Sequence, residues 1–300
     1  MRLSGKVMIA FAAVYLFWGG TYVGIKLGLT VFPPLGMAGI RHTIAGMIML
    51  SVAMLRKEVW PTRSQLFTSM LIGIMMLTIG NGLVTLVEQT VPSSIVSLLI
   101  GAVPLWIILL NWAFGDHRTP TVFAFVGVLL GLIGIAVLVF SSQSDASFEF
   151  SWIGIGLTLI AALSWAGGSL LSRYGALPKS ALMNLAVQML TGGITLSALS
   201  LIRQEWVGFS IASVTPTALW AVLYLIFLGS LVAYSAYLWL LRHVNPTWVS
   251  TYAFVNPVVA VILGWLLAGE SLTPMALVAA LIIVVSIAVM TLSPKQKTKQ

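Results

Sequence analysis

The chain has 300 residues, of which 59% are hydrophobic and 7% are charged, and its formal net charge is +8. Soluble domains are about 45–50% apolar and about 25% charged, so this composition excludes a water-soluble fold and predicts a protein dissolved in the lipid bilayer. The basic residues are scattered through short loops and one tail, which excludes a nucleic-acid-binding surface. Cysteine is absent, so disulfides and thiolate metal sites are excluded.

Apolar segments long enough to cross a bilayer follow one another along the whole chain. They cover residues 7–27, 32–55, 66–87, 93–113, 120–140, 152–173, 180–202, 217–241, 246–268 and 274–292. The first carries Trp18 and Tyr22 and lacks a clean cleavage site, so it is predicted to be an uncleaved membrane helix. We therefore predict an all-α polytopic membrane protein with ten transmembrane helices joined by short loops.

The sequence repeats after the loop that follows the fifth helix. The matched pairs are Trp18 and Trp165 at an offset of 147 residues, Pro104 and Pro257 at 153, and Asp116 and Glu270 at 154. Their common order indicates two homologous repeats of five helices. We place the first repeat at residues 1–145 and the second at residues 146–300.

Lysine and arginine predict the orientation, because cytoplasmic loops carry an excess of them. With both termini inside, twelve of the fifteen basic residues are cytoplasmic: Arg2, Lys6, Arg56, Lys57, Arg63, Arg118, Arg173, Lys179, Arg242, Lys295, Lys297 and Lys299. Since five is odd, the second repeat enters the membrane from the opposite side, and the two repeats have inverted topology. Repeats of this kind are typical of secondary transporters.

Polar and aromatic side chains at middle depth predict a central cavity for a small amphipathic organic molecule. Arg41 lies about nine residues into the second helix, roughly 13 Å from its outer end, and a charge at such depth is a functional-site hypothesis. It either pairs with Glu88, caps backbone carbonyls, or binds an anionic group such as a carboxylate. The other candidate substrate-binding residues are Trp18, Tyr22, Asn81, Trp165, Tyr234, Tyr237 and Asn256.

Two pairs of repeated residues each have two interpretations. Trp18 and Trp165 either pack helices together beside small residues or form aromatic walls around the cavity. Pro104 and Pro257 fall near the middles of helices four and nine, where proline is expected to kink the helix. These kinks are either purely structural or also shape the site as hinges.

Several kinds of chemistry have no sequence support. Asp116 and Glu270 precede Thr-Pro helix starts, where an acid suits the helix dipole, and proton coupling is the alternative role for Glu270. No ATP-binding loop, metal-binding motif or pair of intramembrane carboxylates occurs. We therefore expect no catalytic residues, no metal and no cofactor, and the protein is not predicted to be an enzyme.

These features together resemble the drug/metabolite transporter superfamily, and its EamA-type branch in particular. The residues that carry the resemblance are Phe17-Trp18-Gly-Gly-Thr21, Pro34 to Arg41, Pro104, Asn256-Pro257 and Gly269-Glu270. The resemblance implies a secondary transporter of the prokaryotic cytoplasmic membrane, with its cavity lined mainly by helices one, three, four, six, eight and nine. The chain departs from the family pattern before the fifth helix, where Asp116 replaces the usual glutamate.

The predicted function is export of amino acids or related small amphipathic metabolites by alternating access. The expected partners are a small-molecule substrate and the lipid bilayer, and the protein is expected to be a monomer or a homodimer. Two other functions stay open: a multidrug or lipid-intermediate translocator, and a membrane scaffold that transports nothing.

Overall fold

The structure is a computed structural model that describes residues 4–91, 96, 99–116, 119–142, 152–268 and 274–291. Within these ranges the chain forms helices and no strand, as the sequence predicts for an all-α protein. The helices that build the bundle are α1 (Gly5–Gly28), α2 (Pro34–Leu55), α3 (Arg63–Val87), α4 (Val103–Phe114), α5 (Val122–Ser142), α6 (Trp152–Tyr174), α7 (Ala181–Ile202), α8 (Pro216–His243), α9 (Tyr252–Ala268) and α10 (Pro274–Thr291).

Six of these helices, namely α1, α2, α3, α6, α7 and α8, are each long and apolar enough to cross a membrane. Shorter apolar helices cover Val103–Phe114, Val122–Val137 and Leu277–Met290. Large apolar side chains such as Trp220 and Leu281 point outward and are 70% and 65% exposed. Such a surface fits acyl chains and not water, so the fold is that of a multi-pass membrane protein.

Helices α2 and α7 pack closely because small residues remove the side chains between them. Gly39 lies against Ser197, where an added Cβ would come within 2.7 Å of the Ser197 backbone nitrogen. Further along α2, Gly46 lies against Leu190. Later residues of α2 therefore meet earlier residues of α7, and the two helices run antiparallel.

Helices α5 and α10 form a second antiparallel pair. Gly127 lies against Met290, and Gly134 lies against Ile283. The pair belongs to an apolar core that includes Val128 and Ile135 and also takes in α4 and α9. The polar cavity lies elsewhere, among the helices that surround α1 and α6.

A carboxylate that is distant in the sequence holds the first turn of α2, the helix that carries Arg41. The Glu205 carboxylate, in the loop after α7, accepts hydrogen bonds from the backbone nitrogens of Leu35 at 3.0 Å and Gly36 at 3.2 Å. These are donors in the first turn of α2, which no residue inside the helix satisfies. Glu205 thus fixes the position of α2 relative to α7.

Helices α3 and α8 each contain a π-helical stretch, at Gly73–Asn81 and Leu225–Tyr234. Their backbone hydrogen bonds span five residues instead of four, which widens the helix. The last residues of the two stretches, Asn81 and Tyr234, match at the repeat offset of 153. Both halves of the chain therefore have the same irregularity next to the predicted cavity.

The structure differs from the predicted elements around the prolines. The predicted helix 93–113 is interrupted by a turn at residues 101–102, and Pro104 lies in the first turn of α4, so it kinks no continuous helix. Proline suits this position because its missing N–H would be unpaired in any case. Pro257 does lie inside α9, as predicted. The fifth helix starts at Val122, slightly later than the predicted Thr-Pro start.

In the second half, one predicted helix start lies outside the described residues and one predicted helix divides. Glu270 and Thr273 lie outside the described residues. The predicted helix 246–268 divides into a short turn of helix at Pro246–Val249 and α9 from Tyr252.

Candidate functional site

A cavity of about 80 Å³ lies in the middle of the bundle, between α1, α2, α3, α4, α6, α8 and α9. Helix α2 contributes to it in addition to the helices that the resemblance implies. Seven of the eight predicted binding residues line it: Trp18, Tyr22, Arg41, Asn81, Trp165, Tyr234 and Asn256. Residues that are far apart in the sequence, from both halves, therefore meet around one cavity.

Tyr237, the eighth predicted binding residue, does not reach the cavity. It is fully buried behind Trp165, whose indole Nε1 donates a hydrogen bond to the Tyr237 hydroxyl at 3.2 Å. The Ser169 hydroxyl lies 2.7 Å from the same oxygen. Tyr237 lies behind the cavity lining because it is on the face of α8 that packs against α6. Its hydroxyl therefore supports Trp165.

The tryptophans that match in the repeat contact each other directly. The rings of Trp18 and Trp165 meet edge to face at 5.4 Å, and Tyr252 packs against Trp18 at 5.0 Å. The Trp18 indole donates a hydrogen bond to the carbonyl of Gly229 at 3.0 Å. These rings pack the helices together and at the same time form an aromatic wall, so the two interpretations of the tryptophans are compatible.

Arg41 is buried, and its guanidinium faces the cavity with most of its donors unused. The Nε atom donates to the Ser230 hydroxyl at 2.8 Å. Among the described residues its terminal nitrogens have no hydrogen bond and no carboxylate within ion-pair distance. The predicted pairing with Glu88 is wrong, because both carboxylate oxygens of Glu88 are buried without a hydrogen-bond partner. Backbone capping by Arg41 is also not observed in the described part of the chain.

A chain of hydrogen bonds holds Asn81 beside Arg41. The Ser230 oxygen accepts from Arg41, so its own proton is available to Nδ1 of His42, 3.5 Å away. The opposite nitrogen of His42, Nε2, lies 3.1 Å from the side-chain oxygen of Asn81 and donates to it. The Asn81 oxygen is thereby occupied, and its amide N–H groups remain available beside the guanidinium. This side of the cavity offers donors.

Asn256 gives the cavity the opposite polarity. Its side-chain oxygen is buried and has no hydrogen-bond partner among the described residues. Pro257, the next residue, lacks the N–H that would otherwise bond to the carbonyl of Ala253. A buried acceptor without a donor costs about 1–3 kcal/mol, so this position fits the N–H groups of a ligand.

The corresponding polar residues of the second half are already paired with one another. The Tyr234 hydroxyl donates to Gln188 at 2.7 Å, and Gln188 donates through Nε2 to Asn184 at 2.9 Å. The Ser69 hydroxyl donates to the same Asn184 oxygen at 2.8 Å. Because its hydroxyl is already bonded, Tyr234 has only its aromatic ring left to contact a ligand in the cavity.

Sequence reasoning did not assign Thr21, Gly229 and Ser230 to the site. Thr21 and Gly229 line the cavity, and Ser230 holds Arg41. The available signal was the small pair Gly229-Ser230 inside an otherwise apolar helix, where small residues allow close approach of a neighbouring helix. His42 and Tyr252 also line the cavity. The sequence shows that both are polar residues inside predicted helices, but it does not show that their side chains point toward the cavity.

Glu88 follows the last residue of α3, away from the centre of the cavity. Burial raises the pKa of Glu88 to about 8, and the positive charge of Lys26 offsets this only in part. Part of the side-chain stem is exposed, but both carboxylate oxygens are buried, and these oxygens carry the charge. Within the described ranges no group of three or more His, Asp and Glu side chains could hold a metal ion.

Comparison with known proteins finds relatives that match nearly the whole chain. A protein of Escherichia coli (strain K12) named "uncharacterized inner membrane transporter YedA" is 37% identical over 284 residues, which are 94% of this chain and 90% of that protein. A Salmonella typhimurium (strain LT2) protein named "probable amino-acid metabolite efflux pump" is 28% identical over 280 residues, 90% of this chain and 89% of that protein.

A solved crystal structure shares the fold. It aligns with a TM-score of 0.77 at 20% sequence identity and covers 96% of this chain and 97% of the other chain. The sequence model of the EamA-like transporter family matches residues 5–140 and again residues 152–292. The chain therefore belongs to the EamA-like transporter family and is a multi-pass membrane transporter of the bacterial inner-membrane type.

Proposed function

We propose that the protein is a secondary transporter that exports amino acids or related small amphipathic metabolites by alternating access. The observation that carries this proposal is the guanidinium of Arg41, which faces a central cavity with unused donors. An amino acid would place its carboxylate on Arg41 and the Asn81 amide, and its ammonium near the free oxygen of Asn256. The tryptophan rings would then contact the side chain of the substrate.

Alternating access requires two halves that exchange roles, and the helix packing supports an inverted pair. Under the predicted repeat, α2 corresponds to α7 and α5 to α10, and both of these pairs run antiparallel. The contacts also match, since α1 packs on α8 and α9 while α6 packs on α3 and α4. The family model matches each half separately. We propose ten crossings, with repeats at residues 1–145 and 146–300 and both termini inside.

The rival functions have less support. A cavity of about 80 Å³ is below the roughly 300–1,000 Å³ of drug-sized sites, which weighs against a multidrug or lipid-intermediate translocator. A scaffold without transport predicts deep polar groups that all pair with one another, yet Arg41 and Asn256 keep unused groups. An enzyme would need converging acid, base or metal groups, whereas the described residues that line the cavity include no carboxylate and form no metal-binding group.

Counterflow in proteoliposomes tests the proposal. Vesicles loaded with a mixture of amino acids should accumulate a labelled amino acid from outside, and protein-free vesicles should not. Arg41→Gln should lower uptake of a carboxylated substrate at least about tenfold, as expected when a charged hydrogen bond is lost, but should leave the decarboxylated amine within about twofold. Arg56→Gln, at the exposed end of α2, is the matched control. Absence of counterflow for every amino acid would refute amino-acid export, and equal loss for acid and amine would make Arg41 structural.

A further inference from the structure

A second concave site lies at one end of the bundle, apart from the central cavity. It is a groove of about 360 Å³ between the last turn of α6, the loop that follows it and the last turn of α8. Gly175 at its edge faces Thr68, near the start of α3, which places the groove at the end opposite Glu88. Under the predicted orientation this end is cytoplasmic.

Three cations converge on the groove, and no acid is among the described residues that line it. The cations are Arg173, Lys179 and Arg242. Arg173 donates through Nη1 to the carbonyl of Leu241 at 2.7 Å, which holds it against the end of α8. Lys179 and Arg242 have no hydrogen bond or ion pair within the described ranges. Three like charges in one groove repel each other unless an anion lies between them.

The groove differs from the other basic residues at the same end of the bundle. Arg56, Lys57 and Arg63, around the loop from α2 to α3, are exposed and do not line this groove. The excess of positive charge in cytoplasmic loops accounts for all of these residues alike. It does not account for three cations that share one concave site at the ends of two spanning helices.

We propose that this groove binds the phosphate of an anionic phospholipid headgroup. Guanidinium and ammonium groups are the usual partners of a phosphate, and basic pockets between spanning helices bind anionic headgroups. The helix ends put the groove at the level of the headgroups, and Leu177 and Pro178 add an apolar edge for the glycerol and the first acyl carbons. The bound lipid would join α6 to α8, the helices that carry Trp165 and Tyr234.

Native mass spectrometry and thermal unfolding of the detergent-solubilised full chain test the proposal. Wild type should retain phosphatidylglycerol but not phosphatidylcholine, and phosphatidylglycerol should raise its unfolding midpoint. The double variant Lys179→Gln, Arg242→Gln should bind phosphatidylglycerol roughly thirtyfold more weakly. Lys179→Gln alone changes an exposed side chain, so it should fold normally and lose roughly fivefold, while Lys179→Arg should bind as wild type does.

The matched control removes the same charge from the same end. Arg56→Gln, Lys57→Gln should keep the affinity within about twofold, because only long-range attraction is lost. Equal losses in the control and the groove variants would overturn the proposal in favour of diffuse charge. A further measurement adds inorganic phosphate to the wild-type protein without lipid. Stabilisation by inorganic phosphate equal to that by phosphatidylglycerol would also overturn it, because the source of the anion would then be soluble.

Discussion

The two halves of the bundle use matched positions around the cavity in different ways. Arg41 in the first half corresponds to Gln188 in the second, at the repeat offset of 147. Gln188 is fully buried and bonds to Tyr234 on one side and Asn184 on the other. Among the described residues Arg41 bonds only to Ser230, and its terminal nitrogens remain available to the cavity.

The two halves thus share a scaffold and differ in the polar groups that they present to the cavity. The backbone plan is shared, since both halves bring a π-helical stretch and a tryptophan to the centre. The polar groups are not shared, because Gln188 and Tyr234 bond to each other, while their counterparts Arg41 and Asn81 keep donors for the cavity. Under the proposed alternating access, this asymmetry would hold a ligand in one fixed direction while the halves exchange roles.

Exchange of the two matched residues is the strongest test of this difference. In the variant Arg41→Gln, Gln188→Arg, we expect the folded yield to fall at least about tenfold. The reason is that an unpaired buried charge costs about 3–5 kcal/mol, and position 188 has no cavity for a guanidinium. The measurement is the monodisperse fraction in size-exclusion chromatography, with Arg41→Gln alone as the control that folds. Wild-type yield and transport from the exchange variant would mean that the two positions are equivalent.

A second difference lies at the ends of α3 and α8. Glu88 corresponds to the apolar Leu241 at the offset of 153. The pKa of Glu88 rises from its ordinary value of 4.5 to about 8 in the folded chain. The folded state therefore binds more protons than the unfolded state between these values, and stability falls as the pH rises through this window.

Thermal unfolding across this window checks the effect of Glu88. The unfolding midpoint of wild type should fall by about 5 °C between about pH 5 and about pH 9. Glu88→Gln should remove this contribution and be the more stable protein at high pH. Glu58→Gln, in the loop after α2, is the control and should keep the wild-type slope. If Glu88→Gln keeps that slope too, another group titrates and Glu88 does not bind the proton.

The paired tryptophans should differ in their contribution to stability. Trp18→Phe leaves the buried carbonyl of Gly229 without its donor, so the free energy of unfolding should drop by about 1–3 kcal/mol. Trp165→Phe should cost less, because the Tyr237 hydroxyl keeps Ser169 as a partner. The unfolding midpoints of the two variants, measured side by side, give the comparison. Equal midpoints would show that ring packing alone decides the contribution of both residues.

The smallest effect is expected for the hydroxyl of Tyr234. Tyr234→Phe removes a hydrogen bond to Gln188 and should lower the free energy of unfolding by about 1 kcal/mol. The apparent KM for the substrate should stay within about twofold, since the ring that faces the cavity is unchanged. A KM that rises tenfold would mean that the hydroxyl leaves Gln188 and binds the substrate.

Much of this arrangement follows from the sequence, because bilayer crossing imposes a length and a polarity on each helix. The seventh helix is predicted at residues 180–202 and observed at Ala181–Ile202. The depth of Arg41 follows from the same counting. Its partner Ser230 could not be predicted, since that contact depends on how α2 and α8 pack. Tyr237 was misplaced for the same reason, because polarity gives no direction within a helix surrounded by other helices.

The π-helical stretches have a consequence for insertions and deletions in this chain. A wide turn holds one residue more than an α-helical turn, so removal of a single residue from Gly73–Asn81 would restore regular winding. The later side chains of α3 would keep their approximate direction, because the regular winding of the remaining residues makes up for the missing one. A deletion in the regular part of α3, at Arg63–Ile72, would instead turn every later side chain by about 100° around the helix axis and take Asn81 away from His42. A single-residue deletion is therefore tolerated best inside Gly73–Asn81, and the same holds for Leu225–Tyr234 in α8.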